Sequence, residues 1–270
     1  MTTQQIIDLE NQYLAPTYGR PGIVLDRGSG NYIYDLDGKR YLDFIGGIAV
    51  NSLGHAVPEI IGAVSQQAAK LMHVSNLYHT APHAILAQLL VENAFESKVF
   101  FCNSGSESIE AALKFSRRWA FAEGGEAKHE IVSFENSFHG RTYGAISATA
   151  QPKYHEGFAP MLPGMVYLPF NDLAALDQTI SKEKTAAVLL EPLQGEGGVN
   201  TAQLEFLSKI RELCDERNVA LIFDEIQCGL CRTGKFFAYQ HSGIEPDVMT
   251  LAKTLGGGLP IGAVMMKPHV

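Results

Sequence analysis

The sequence predicts an α/β protein built on a mainly parallel, doubly wound sheet, and three observations carry that prediction. Seven short apolar runs, near residues 99–102, 130–134, 165–169, 186–191, 219–224, 247–251 and 261–266, have the length and composition of buried strands. Helical patterns such as 107–122 and 202–217 separate several of them, which is the spacing of strands joined by crossover helices. Several runs also end in polar or glycine-rich turns, and ligands of such sheets bind beyond the carboxyl ends of the strands.

Taken in order, residues 22–50 come first and differ from the rest. Short β-like runs (Gly22-Ile23-Val24-Leu25, Tyr32-Ile33-Tyr34, Tyr41-Leu42-Asp43-Phe44) alternate there with turn residues such as Asp37-Gly38, predicting a small antiparallel unit. The run at 99–102 leads into Asn103-Ser104-Gly105-Ser106-Glu107. Ser104 can cap the following helix, whose first free N–H groups, near Gly105 and Ser106, would then face an anion. For an isolated Asn-Ser-Gly-Ser an ordinary capped helix is the better reading.

After the run at 130–134 comes Ser137-Phe138-His139-Gly140-Arg141-Thr142. Phe138 could cover a flat ring and Arg141 could clamp a carboxylate, although alone each reads equally as core and surface. The fourth run ends in Glu191-Pro192-Leu193-Gln194-Gly195-Glu196-Gly197-Gly198, a carboxylate and a glycine-rich loop suited to the rim of a site. Glu191 by itself could also cap a turn or pair with a lysine. The fifth run, Val219-Ala220-Leu221-Ile222-Phe223-Asp224, ends in a carboxylate. The sixth, Val248-Met249-Thr250-Leu251-Ala252, is followed by Lys253 and then Gly256-Gly257-Gly258. A lysine and a carboxylate at neighbouring strand ends are the pair a pyridoxal phosphate (PLP) enzyme needs, one to bond the cofactor and one to keep its ring nitrogen protonated.

The bulk numbers narrow the class. The 270 residues suffice for one large domain or for one domain and part of another. With 46% apolar and 19% charged residues the chain is globular. A net charge of −8 without a basic stripe argues against nucleic acid as a partner. No apolar stretch has membrane-spanning length, and Met1–Arg20 lacks a signal-peptide pattern, so a cytoplasmic protein is expected. Four cysteines are too few for a disulfide framework, and Cys228 and Cys231, without a second pair or suitable histidines, read as chance spacing and not as a metal site.

Two motif matches fail. Gly229-Leu230-Cys231-Arg232-Thr233-Gly234-Lys235 imitates a phosphate-binding P-loop until Phe236 occupies the place of the magnesium-holding hydroxyl. Gly28-Ser29-Gly30 lacks the third glycine and the helix of a dinucleotide fingerprint.

Taken together, these residues resemble the class III (ω-amino acid) PLP-dependent aminotransferases over essentially the whole chain. The most specific pieces are Asp224-Glu225-Ile226-Gln227 and Leu251-Ala252-Lys253-Thr254. Gly46-Gly47-Ile48-Ala49-Val50-Asn51-Ser52-Leu53-Gly54-His55 and Ser75-Asn76-Leu77-Tyr78 resemble the acetylornithine branch. The resemblance implies PLP-dependent transferase fold type I, with residues 1–55 belonging to a small α+β domain and 56–270 forming the large PLP-binding domain. By motif, Lys253 would be the Schiff-base lysine and Asp224 the pyridinium partner, an attraction of about 4 kcal/mol at ~4 Å and an effective dielectric of ~20. Gln227 would contact the phenolic oxygen, Phe138 would stack on the ring, and Gly105 and Ser106 would bind the phosphate. Arg141 would hold a substrate carboxylate, Glu196 would shield a second arginine, and Glu191 would be a supporting acid near the substrate.

The implied reaction moves the ω-amino group of N2-acetylornithine to 2-oxoglutarate, in a homodimer. Ornithine, succinylornithine and 4-aminobutyrate are rival donors. The resemblance further implies residues beyond Val270, among them that second arginine and a hydroxyl reaching the neighbouring subunit's phosphate. A chain ending at Val270 is thus expected to be a shortened form, either active or a dead-end binder. Cys231 stands where the family has glycine, so a left-handed turn there would be strained by roughly 1–3 kcal/mol.

Overall fold

The computed structural model describes residues 1–270. The chain divides into two compact units, Met1–Tyr78 and His79–Val270.

The first unit opens with α1 (Thr3–Tyr13), started by a capping box between Thr2 and Gln5. The expected antiparallel unit follows as β1 (Leu25–Ser29), β2 (Tyr32–Asp35) and β3 (Arg40–Leu42), paired in that order. Its first strand lies further along the chain than the apolar run at 22–25. The tight turn at Gly30-Asn31, with Gly30 at φ 54°, sets the register by pairing Ser29 with Tyr32. After it come α2 (Gly46–Ala49) and α3 (Pro58–Lys70). Helix α3, expected to open the large domain, falls in the first unit. No residue of this unit is buried. Polar pinning holds its turns instead: Asp43 accepts the Ile45 and Gly46 amides and pairs with His55 at 2.7 Å.

The second unit carries the predicted sheet. Seven strands, β4 (Lys98–Cys102), β5 (Glu130–Phe134), β6 (Met165–Leu168), β7 (Thr185–Leu190), β10 (Ala220–Asp224), β11 (Val248–Leu251) and β12 (Gly262–Met266), lie in the order β4-β12-β11-β10-β7-β5-β6. β12 runs antiparallel to both neighbours, and the other pairings of this sheet are parallel. A separate ribbon, β8 (Leu193–Gln194) with β9 (Asn200–Thr201), frames the glycine-rich loop.

Period-two burial makes both faces apolar. Val188, Leu190, Leu221 and Phe223 face a core shared with α4 (Ala81–Asn93), α7 (Leu173–Thr179) and α8 (Leu204–Arg217). Ala187, Leu189, Ala220 and Ile222 face the other, shared with α5 (Gly105–Gly124) and α6 (Tyr143–Ala148). Sheet burial of this kind is worth roughly 1.5–3 kcal/mol per large apolar side chain. It fixes the strand ends on which the polar residues are mounted.

Candidate active site

Four adjacent strands, β5, β7, β10 and β11, deliver the Phe138 segment, Glu191, Asp224 and Lys253 to one edge of the sheet. Asp224, the last residue of β10, is 3% exposed, and both of its oxygens are engaged. Oδ1 accepts the Ile226 amide and the Thr250 hydroxyl, each at 3.1 Å, and Oδ2 accepts His139 Nδ1 at 2.7 Å. His139 is locked in turn, its own amide donating to Thr149 Oγ1 at 2.8 Å. Its other ring nitrogen, Nε2, is buried without a partner.

Lys253 follows β11 after Ala252 and takes a left-handed backbone, φ 41°, which is rare for any residue that carries a Cβ. Burial pushes its ammonium below the ordinary lysine value, against the opposing pull of Asp224, Glu196 and Glu191. A lysine biased toward the free amine, facing a buried carboxylate, suits a nucleophile and proton carrier.

Beyond β4, Ser104 caps α5 by accepting the Glu107 amide at 3.2 Å. The amides of Gly105 and Ser106 are first-turn groups with no intrahelical acceptor, at the positive end of a 20-residue helix. Ser106 Oγ also accepts the Arg141 amide at 3.2 Å, so the helix start and the arginine segment are tied together. Gly140, at φ 130°, makes that approach possible, since a Cβ there would overlap Ser106 Oγ. Glu110, one turn further along α5, holds the same segment by accepting the Thr142 hydroxyl and the Gly144 and Ala145 amides.

Phe138 is half-buried and meets Tyr154 edge-on at 5.5 Å, and the Arg141 guanidinium lies 6.0 Å from the Tyr154 ring centre. On the opposite rim, Gln227 donates to Glu196 at 3.4 Å. Gly195 makes room for that side chain, because a Cβ would overlap Gln227 Oε1. Glu191 is 5% exposed and accepts the Phe138 amide at 2.9 Å and the Gly195 amide at 3.3 Å. Burial pushes its carboxyl up to about 7, with Asp224 adding to the rise and His139 opposing it.

The residues proposed from the sequence lie at this edge, Asp224 at the end of β10, Gly105 and Ser106 at the start of α5 and the others in the segments that follow β5, β7, β10 and β11. His139, Thr250, Thr149 and Tyr154 were given no role by the sequence. The one signal for Thr250 and His139 was a polar residue in an otherwise buried stretch. The left-handed turn expected at Cys231 is present, at φ 67°, with Leu230 beside it at φ 51°. All four cysteines are free, Cys228 buried and Cys231 exposed. No group of three or more metal-ligating side chains occurs, and no helix is long and apolar enough to cross a membrane.

A parallel sheet whose carboxyl edge gathers an anion-facing helix start, a buried carboxylate and a desolvated lysine defines a cofactor-dependent transferase of the α/β class. A family model described as aminotransferase class III matches residues 13–270, and the chain belongs to that family. It is 50% identical over 270 residues to an acetylornithine aminotransferase of Methanocaldococcus jannaschii, covering 100% of this chain and 68% of the relative. Among solved structures it resembles an N-acetylornithine aminotransferase of Stenotrophomonas maltophilia (TM-score 0.83, 40% identity, 98% of this chain and 65% of that one). It also resembles an ornithine aminotransferase of Toxoplasma gondii with PLP at partial occupancy in its active site (TM-score 0.94, 33% identity, 100% of this chain and 64% of that one). The chain thus spans about two thirds of the length of these relatives.

Proposed function

We propose that this protein binds PLP and transfers the ω-amino group of N2-acetylornithine to 2-oxoglutarate, yielding N-acetylglutamate 5-semialdehyde and glutamate. The observation that carries the reading is the placement of buried Asp224 at the end of β10 and of desolvated Lys253 just beyond the end of the adjacent strand β11. The residues fit the cofactor. The Gly105 and Ser106 amides suit its phosphate, Asp224 its ring nitrogen, Phe138 a ring face and Gln227 its phenolic oxygen. When bound, PLP supplies the electron sink that lets an amine leave one carbon skeleton and join another.

The chain's own groups do the rest. Asp224, held by Thr250, the Ile226 amide and His139, offers a carboxyl group fixed in place where little water reaches it. Lys253 Nζ, uncharged more readily than an exposed lysine, takes and returns the proton at the substrate carbon that bears the transferred amine. Arg141, anchored through Ser106 and Glu110, offers a two-pronged clamp for a substrate carboxylate. Glu196, exposed on the rim, is placed to pair with a basic group during one half of the cycle.

Acetylornithine is favoured over its rivals by the 50% identity to an enzyme of that name. A homodimer in the cytoplasm completes the reading. Large apolar side chains left open in the first unit, Phe44, Met72 and Leu77 at 91%, 84% and 82% exposed, suit coverage by a second copy.

Glutamate formation from 2-oxoglutarate, measured with PLP and matched concentrations of acetylornithine, ornithine, succinylornithine and 4-aminobutyrate, tests the proposal. Acetylornithine should give the highest kcat/KM. A rival faster by tenfold or more would overturn the donor assignment, and no glutamate from any donor would overturn transamination by this chain.

A further inference from the structure

Glu191 does not stand in the site as a substrate-facing acid would. At 5% exposure it presents almost no surface to a ligand, and both of its oxygens are spent on backbone amides. Those amides belong to two segments far apart in sequence. Phe138 N–H lies in the turn after β5, and Gly195 N–H lies in the loop between β8 and β9 that also carries Glu196.

The two segments also meet where Gly197 packs against Asn136, whose carbonyl a Cβ on Gly197 would overlap, and through the Gln194 side chain. Gln194 Nε2 donates to the Glu135 carbonyl at 2.9 Å, and Gln194 Oε1 accepts Asn200 Nδ2 at 3.3 Å. Each segment then reaches a different wall of the site. Phe138 packs on Tyr154, above which the Arg141 guanidinium lies, and Glu196 meets Gln227. A carboxylate that fixes both backbones sets the spacing between the ring-facing wall and the rim.

We propose that Glu191 is a positioning residue, a buried clamp that holds the Phe138 turn and the Glu196 loop as one body, and that it makes no contact with substrate. The importance of that spacing rests on the reading of the site as a PLP site, whereas the clamp itself is a property of the chain without cofactor.

The test is hydrogen–deuterium exchange followed by mass spectrometry, on the protein without added PLP, comparing the wild type with Glu191→Ala and Glu191→Gln. Hydrogen bonds from buried backbone amides to a carboxyl group support protection of about tenfold or more. Glu191→Ala should therefore speed exchange at least about tenfold in peptides covering both 136–139 and 193–198, leaving β7 and β10 unchanged. Glu191→Gln keeps one acceptor oxygen and should release one of the two segments far more than the other. If Glu191→Ala fails to fold, the glutamine variant decides alone.

Unchanged exchange in both segments, or equal acceleration throughout the sheet, would overturn the clamp. Rescue supplies a second readout: in the PLP-loaded enzyme, Glu191→Gln should raise KM for both substrates by more than it lowers kcat, whereas a residue taking part in chemistry would lose kcat. PLP binding by the wild type, followed by absorbance, is scored separately. Its absence would defeat the cofactor reading and leave the exchange result standing.

Discussion

Asp224 and Arg141 are both charged groups of one site, and the fold treats them in opposite ways. Asp224 ends a central strand, is 3% exposed, and has its two oxygens fixed by His139, Thr250 and the Ile226 amide. Arg141 is exposed; its amide donates to Ser106 Oγ, and Glu110 holds the residues that follow it, Thr142, Gly144 and Ala145. The floor of the site is thus built to hold one charge at one place, where low polarity magnifies it. On the proposed function, the rim would present charges to whichever substrate is bound, at a cost in water screening. Glu196, also exposed, belongs with Arg141, and Lys253 and Glu191 belong with the floor. On the proposed function, the chemistry would fall to the buried, many-bonded floor and the substrate contacts to the exposed rim.

That contrast can be broken in order of expected effect. Lys253→Ala should be the severest, removing the proton carrier and lowering the rate of each half-reaction by at least ~10³-fold. Single-turnover absorbance would measure it, and surviving half-reaction rates would contradict the assignment. Asp224→Asn keeps the shape of the floor and removes its charge. At ~4 kcal/mol for an opposite charge ~4 Å away, kcat should fall by about 10³-fold with substrate KM little changed. Rim changes should look different. Arg141→Lys removes the two-pronged clamp and should raise KM for 2-oxoglutarate roughly 10- to 100-fold, leaving thermal stability within about 0.5 kcal/mol. If it instead lowered kcat as far as Asp224→Asn does, the division into floor and rim would be wrong.

Two buried carboxyl groups, Glu191 in the floor and Glu225 behind it, also carry a pH signature. Burial pushes Glu191 and Glu225 up to about 7 from an ordinary 4.5, Glu225 despite accepting the Ala238 and Tyr239 amides at 2.6 and 2.7 Å. The folded state therefore holds protons that the unfolded chain has released, so this contribution to stability is complete below about 4.5 and is lost as pH rises to about 7. Urea unfolding between those pH values should show a decline that Glu225→Gln reduces. A smaller effect lies outside both regions. Cys231→Gly should stabilise the protein by roughly 1 kcal/mol, relief of the φ 67° strain exceeding the entropic cost of glycine.

The sheet was legible because its signal is apolar and local. All seven strands fall on the apolar runs, and α5 begins where Ser104 can cap it. The first antiparallel unit was read less well, since none of its residues is buried and a turn, not an apolar run, sets the register of β1. Within the site, residue types at strand ends could be read, but partnerships could not. Nothing local links His139 to Asp224, or Glu191 to Phe138, because only the sheet order brings β5, β7 and β10 side by side. Glu225 shows the same limit. It continues the Asp224 motif in sequence, yet its carboxylate turns away from the site to hold the amides of Ala238 and Tyr239.

The most direct test of the central claim is borohydride reduction of the protein after incubation with PLP, followed by peptide mapping, in the wild type and in Asp224→Asn. The account predicts a pyridoxyl label on Lys253 at about one per chain in the wild type, with weaker cofactor retention in Asp224→Asn. A label spread over exposed lysines such as Lys39 or Lys235, or none at all, would contradict it.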